Sequence, residues 1–414
     1  MTKVFLICSG LGHIQRGYES FAQECFAALS QESSLDITLF KGGGKSEKKM
    51  ITLWNLPRYS WMAGQLGRLV KQLSEFLKKG DYFVRQEGYF IEQASFILSL
   101  LSHIYRERPE VIYFSDDGLG YLLWHWRRLT KQNYKLLFRN GGALSPPFSR
   151  WDHVQQLTPI HLKQALTYGE PADQQSLLPS GFFIPAKLQI LSRVEREGLR
   201  EKLGLPKQQP LILSVAAINK SHKRMDYIIH EVASLPKPRP FLLLLGQQDA
   251  ESAEIIQLGQ ELLGLNQFQV RTVPREQVTD YYQVADLFVL ASLHEGLPRV
   301  IVEAMSHGLP CLAHDYDITH FVLGNEGYFA NFELTGSLAN LITQVLGEGY
   351  NQSKRENCHR TVYDRFSWQE LSTAYVDMIE RCRLIEKGVG SRESGVGSRE
   401  SGVGSRESGV GSRE

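Results

Sequence analysis

The stretch that most limits what this chain can become runs from Ala285 to Asp315, ADLFVLASLHEGLPRVIVEAMSHGLPCLAHD. Leu287 to Leu290 reads as a buried strand, stopped by the small residues Ala291-Ser292. Glu295, Gly296, Leu297 and Pro298 follow, and a helix starts near Pro298, the position where proline fits best. Glu303 falls inside that helix and Gly308 ends it. Pro310 to Ala313 then reads as a second buried strand. A strand–helix–strand unit of this kind belongs to a parallel sheet. Such sheets bind ligands at the carboxyl ends of their strands, beside helix amino termini whose N–H groups attract phosphate.

Glu295 and Glu303 are eight residues apart, which is roughly 12 Å along a helix. At that separation they do not share one proton or one metal. They suit the two ends of one elongated ligand, with amide donors between them for its phosphates. A nucleotide sugar has that shape. The alternative is a helix with two solvated glutamates, since a bare pair at this spacing is common.

The full string EGLPxxxxEAMxxGLP, following a strand, is specific. With Ala304, Met305 and Pro310 it resembles the E-x7-E signature of the retaining GT-B glycosyltransferases of family 4, the glycosyl transferases group 1. The resemblance implies an α/β fold of two Rossmann-like, doubly wound parallel-sheet domains facing a central cleft. It divides the chain into an acceptor-binding domain (1–184), a nucleotide-sugar-binding domain (185–365) and a closing helix (366–387) that packs back on the first. It implies that Glu303 takes the ribose, that Glu295 faces the donor sugar, and that Lys223 binds the diphosphate. Donor contacts are also expected from Gly12, Lys220, Val273, Gly296, Leu297, Arg299 and Val300. The co-substrate is a nucleotide-diphosphate sugar, with no cofactor or metal, and the acceptor is open. The fit has gaps. Ala217 stands where the family has an arginine assisting Lys223, with Lys220 or Arg224 as substitutes. No histidine lies between Lys131 and Arg150, where relatives carry one, and His153 is the nearest replacement. These gaps keep open a catalytically inactive relative that binds a partner. Nucleotide-sugar 2-epimerases share the architecture, but their carboxylates and histidines find no match here.

Composition narrows the rest. The chain has 414 residues, 42% apolar, enough for two domains. Its net charge of +1 gives no reason to expect nucleic acid. Five cysteines, none in a CxxC pair, suit a reducing cytoplasm with most of them buried. The first apolar run, Val4 to Cys8, is too short for a signal peptide, and no run is long enough to span a membrane. The expectation is a cytoplasmic protein, or one peripheral to the inner membrane face. Residues 48–79 mix Trp54, Trp61, Leu66 and Leu69 with Lys48, Lys49, Arg58, Arg68, Lys71, Lys78 and Lys79. They read either as a helix packed on the first sheet or as a basic amphipathic segment for an anionic membrane surface.

Other features carry less. Gly44-Lys45-Ser46 is not a phosphate loop, because Leu39 sits where the first glycine belongs. Gly10, Gly12 and Gly17 miss the dinucleotide spacing, and Gly12 reads as a cleft-facing or a plain turn glycine. Asp116-Asp117, at a strand end, reads first as a helix cap. His125, between two tryptophans, reads as a core histidine. The repeat Gly-Val-Gly-Ser-Arg-Glu-Ser from Gly388 onward (388–414) cannot build a core and is expected to be disordered.

Overall fold

The computed structural model describes residues 1–14, 16–76, 87–142 and 144–385. The repeat from Gly388 and the lysines at 78 and 79 lie outside them. Two parallel sheets carry the architecture. The first contains β1 (Thr2–Cys8), β2 (Leu35–Lys41), β3 (Met50–Thr52), β4 (Val111–Phe114), β5 (Lys135–Asn140), β6 (His153–Gln156) and β7 (Gln175–Leu177). Its order is β3-β2-β1-β4-β5-β6-β7. The second contains β8 (Leu211–Val215), β9 (Phe241–Leu245), β10 (Phe268–Arg271), β11 (Leu287–Leu290), β12 (Cys311–His314) and β13 (Tyr328–Ala330), in the order β10-β9-β8-β11-β12-β13.

The sequences of these strands explain the burial. Val4–Cys8, Val111–Phe114 and Phe241–Leu245 are unbroken apolar runs, and all are buried. A strand covered by helices on both faces has no polar side to alternate with. Each sheet accordingly has a core on either face. Strand order reverses between β1 and β4, and again between β8 and β11. Those reversals leave crevices at the carboxyl ends of the strands, where open α/β sheets bind ligands.

The chain crosses between the lobes twice, side by side. Phe182 N–H donates to the Phe366 carbonyl at 2.8 Å, and Trp368 N–H donates to the Phe182 carbonyl at 2.9 Å. The helix Gln352–Phe366 packs in the second lobe through Cys358, Val362 and Phe366. The helix Trp368–Leu384 returns Trp368, Tyr375, Met378, Ile379 and Cys382 to the first lobe's core. All five cysteines are free and buried.

Two expectations need correction. The segment beginning at Met50 is not one amphipathic helix: it opens as the edge strand β3, and the helix runs from Trp61 to Phe76. Pro57 lies in the break between them, where a helix would lose a backbone donor. His125 is not a core histidine. It is exposed, with its ring 4.4 Å from Tyr121 and 4.8 Å from Trp124.

Candidate functional site

Pairing of β8 with β11 brings the loops that follow them together. Lys223 lies in the first loop and Glu295 in the second, and Lys223 Nζ donates to Glu295 Oε1. Both side chains are largely buried, 17% and 14% exposed. The loop is shaped by Asn219, whose side-chain oxygen accepts from Lys223 N–H at 2.9 Å. Tyr316 stands nearby, its pKa pushed up by burial and then by the Glu295 carboxylate.

After Glu295 the chain passes Gly296 and Leu297 to Pro298, which occupies the position just before the helix Arg299–Ser306. The helix therefore begins one residue beyond the expected proline. The first-turn amides of Arg299 and Val300 have no carbonyl a turn earlier to satisfy them. Glu303 lies one turn on. Its Oε1 accepts from Arg275 Nη2 at 2.9 Å, and its Oε2 from the Tyr282 hydroxyl at 3.3 Å. Arg275 follows the β10 loop that carries Val273. The two glutamates thus each hold a separate cation, one at each end of the turn and helix.

Two expected donor residues, Lys220 and Arg299, and the candidate substitute Arg224 stand differently. Lys220 Nζ faces away, donating to both carboxylate oxygens of Glu254 at 2.7 Å. Arg224 donates to the Phe332 carbonyl at 3.0 Å and lies over Tyr227. Neither side chain joins Lys223 in place of the absent arginine at Ala217. Arg299 is held by the other lobe: its Nη2 donates to both oxygens of Glu24, at 2.8 and 2.9 Å, and its guanidinium lies 4.3 Å from the Phe182 ring centre. Glu24 is also 3.5 Å from Arg275.

The first lobe faces this turn across a cavity of about 900 Å³, lined by Tyr89, Asp116, Arg139 and Gly141 on one side and by Leu297 and Arg299 on the other. Asp116 sits just before the helix Asp117–Thr130 but makes no capping bond; its Oδ1 accepts from the Tyr89 hydroxyl. The capping reading of Asp116 is therefore corrected. Burial raises its pKa to about 7, against the opposing pull of Tyr89 and Arg58. Beside it Arg58 grips Glu92 at 2.6 and 3.0 Å, and although burial works against it, the Glu92 carboxyl is held below its ordinary pKa. Gly12 has φ +92°, and a Cβ there would stand 2.3 Å from the Gly43 backbone, so close packing of two loops demands glycine. His153 does not replace the missing histidine. It is fully buried at the start of β6, paired with Ser176 at 2.8 Å, and burial pushes its pKa down to about 4.

Residues 195–365 match the profile of a family described as glycosyl transferases group 1. The chain is 33% identical over 120 residues to the putative teichuronic acid biosynthesis glycosyltransferase TuaC of Bacillus subtilis, covering 29% of this chain and 28% of that protein. It is 27% identical over 227 residues to the lipopolysaccharide glucosyltransferase WaaG of Escherichia coli K12, covering 53% of this chain and 56% of that one. Each match thus spans under two thirds of the relative's length. The fold resembles sucrose-phosphate synthase from Thermosynechococcus elongatus, with TM-score 0.72 and 18% identity over 92% of this chain and 99% of that one. It also resembles Anabaena HepE, solved in complex with UDP, with TM-score 0.66 and 15% identity over 92% and 100%. The fold is GT-B.

Proposed function

We propose that this chain, whose residues 195–365 match the profile of the glycosyl transferases group 1, is a retaining glycosyltransferase taking its sugar from a nucleotide-diphosphate donor. The observation that carries this reading is the paired arrangement at the second sheet's crevice. Lys223 and Glu295 stand at one end of the turn and helix, Arg275 and Glu303 at the other. HepE, a structural neighbour, has been solved with UDP-glucose.

In the proposed reaction the bond between the sugar's anomeric carbon and the diphosphate oxygen breaks, and a bond from an acceptor hydroxyl forms on the same face. The acceptor's proton passes to the departing phosphate oxygen. Lys223 and the backbone amides of Leu297, Arg299 and Val300 stabilise the growing negative charge, the kind of fixed electrostatics that dominates most catalysis. Glu295 orients the sugar and supports its cationic transition state, and Glu303 accepts from the ribose. The acceptor enters from the first lobe, past Asp116 and Tyr89.

The proposed acceptor is lipid-linked or part of a cell-envelope polymer, with the first lobe resting on an anionic membrane. Trp54, Tyr59, Trp61, Met62 and Leu69 are exposed on or before the helix Trp61–Phe76, Trp54 at 66% and Trp61 at 76%. Arg68 and Lys71 share that helix. Aromatics with basic neighbours suit a headgroup boundary. No helix among the described residues is long and apolar enough to cross a membrane. A thermal-shift screen of UDP-, GDP- and ADP-sugars tests the donor class: a ligand held only by the native state raises the melting temperature. The expected result is a shift with the sugars of one base, and no shift with any of them contradicts the proposal.

A further inference from the structure

At the amino ends of the second lobe's strands lies a cavity of about 650 Å³. Its walls include Asp286 just before β11, Pro310 just before β12, the helix Arg193–Lys202 and the start of the helix Gln352–Phe366. The donor cleft opens at the opposite ends of the same strands, so the sheet separates the two.

Six lysine and arginine side chains and three carboxylates line the cavity. Most are matched. Asp286 accepts from Arg196 at 2.6 Å and Arg200 at 2.8 Å, Glu197 from Arg193 at 2.9 Å, and Glu348 from Lys354 at 3.0 Å. Lys207 reaches Glu201 at 2.9 Å, outside the cavity wall. Arg355 is the lining cation left over: among the described residues no carboxylate stands within ion-pair distance of it. Its Nη2 donates to the His307 carbonyl at 3.1 Å, its guanidinium is 5.5 Å from the Tyr350 ring centre, and its Nε has no partner among the described residues. Burial pushes its pKa below the usual arginine range. A partly buried cation without a counter-ion is costly. The Arg355 backbone packs closely against the loop before β12. Gly308 has φ +69°, and a Cβ on it would come within 3.0 Å of the Arg355 Cβ and carbonyl oxygen.

We propose that this cavity binds a small phosphate ester. Arg355 takes the phosphate, for which a planar guanidinium is well matched. Tyr350 and the apolar wall of Ile190 and Leu191 take the organic part. The assignment is independent of glycosyl transfer in the cleft.

Calorimetric titration of the full chain with phenyl phosphate tests it, with inorganic phosphate as the comparison. One saturable site is expected, at least tenfold weaker in Arg355→Gln and unchanged in Lys223→Ala, which alters only the cleft. Tyr350→Ala changes an exposed side chain that makes no hydrogen bond among the described residues; it should weaken phenyl phosphate severalfold and leave inorganic phosphate alone. That variant decides the matter if Arg355→Gln does not fold. Absence of saturable binding, loss of binding in Lys223→Ala, or unchanged phenyl phosphate affinity in Tyr350→Ala or in folded Arg355→Gln would overturn the proposal.

Discussion

Glu295 and Asp116 are the residues on which chemistry is most directly testable. Glu295→Gln keeps the shape and removes the charge that faces Lys223. Sugar-nucleotide turnover should fall by orders of magnitude while the melting curve stays cooperative; turnover equal to wild type would remove Glu295 from the mechanism. Asp116 predicts a pH effect on stability. Its folded pKa of about 7 lies above the unfolded value near 3.8. A group of that kind stabilises the fold while protonated, fully below about pH 3.8, and its contribution is lost as pH rises toward about 7. Asp116→Asn should therefore flatten the fall in melting temperature over that interval, and parallel curves for the two proteins would contradict the assignment. At this scale the sequence is uneven. Glu295, Glu303 and Lys223 were legible because one motif and one loop carry them. Arg275, the partner of Glu303, was missed because no spacing ties residue 275 to residue 303; the link exists only through the fold. Lys220 was misplaced for the converse reason, since a lysine three residues from Lys223 can point elsewhere, and here it faces Glu254.

Among the elements, the helix Trp61–Phe76 makes the sharpest prediction. Trp61→Ser with Leu69→Ser should lower binding to anionic vesicles several-fold in a sedimentation assay and change stability by no more than about 0.5 kcal/mol, as surface substitutions usually do. Undiminished vesicle binding would leave the exposed aromatics without this role. The two strands flanking the motif were readable to within a residue: Leu287–Leu290 is β11, and the expected Pro310–Ala313 is β12 shifted by one, because both are short apolar runs; the three-residue β13 gave no such signal. The region from Met50 was not readable either. A three-residue edge strand is too short to show a period, and the amphipathic pattern beyond it spread over both elements. Asp116 shows a related limit: a strand-end aspartate looks like a cap until the helix Glu87–Glu107 brings Tyr89 to it.

For the molecule as a whole, Glu24 ties the lobes together. It reaches from the helix Gly17–Leu29 to Arg299 and toward Arg275, two cations beside the proposed donor site. Glu24→Ala should free them. Small-angle scattering of the unliganded protein should then show a larger radius of gyration, and nucleotide affinity should rise a few-fold; no change in either would show that the contact is incidental. An acid on a helix surface gives no hint in sequence that it spans two domains, whereas the two-lobed plan itself followed from the E-x7-E resemblance. The central claim is that Lys223 and its loop grip a donor diphosphate. Calorimetric titration of the best-stabilising sugar nucleotide against wild type and Lys223→Ala tests it most directly. A charge-assisted contact contributes about 1.5–3 kcal/mol, so affinity should fall roughly 10- to 100-fold in the variant. Equal affinity in a folded Lys223→Ala protein would contradict the account.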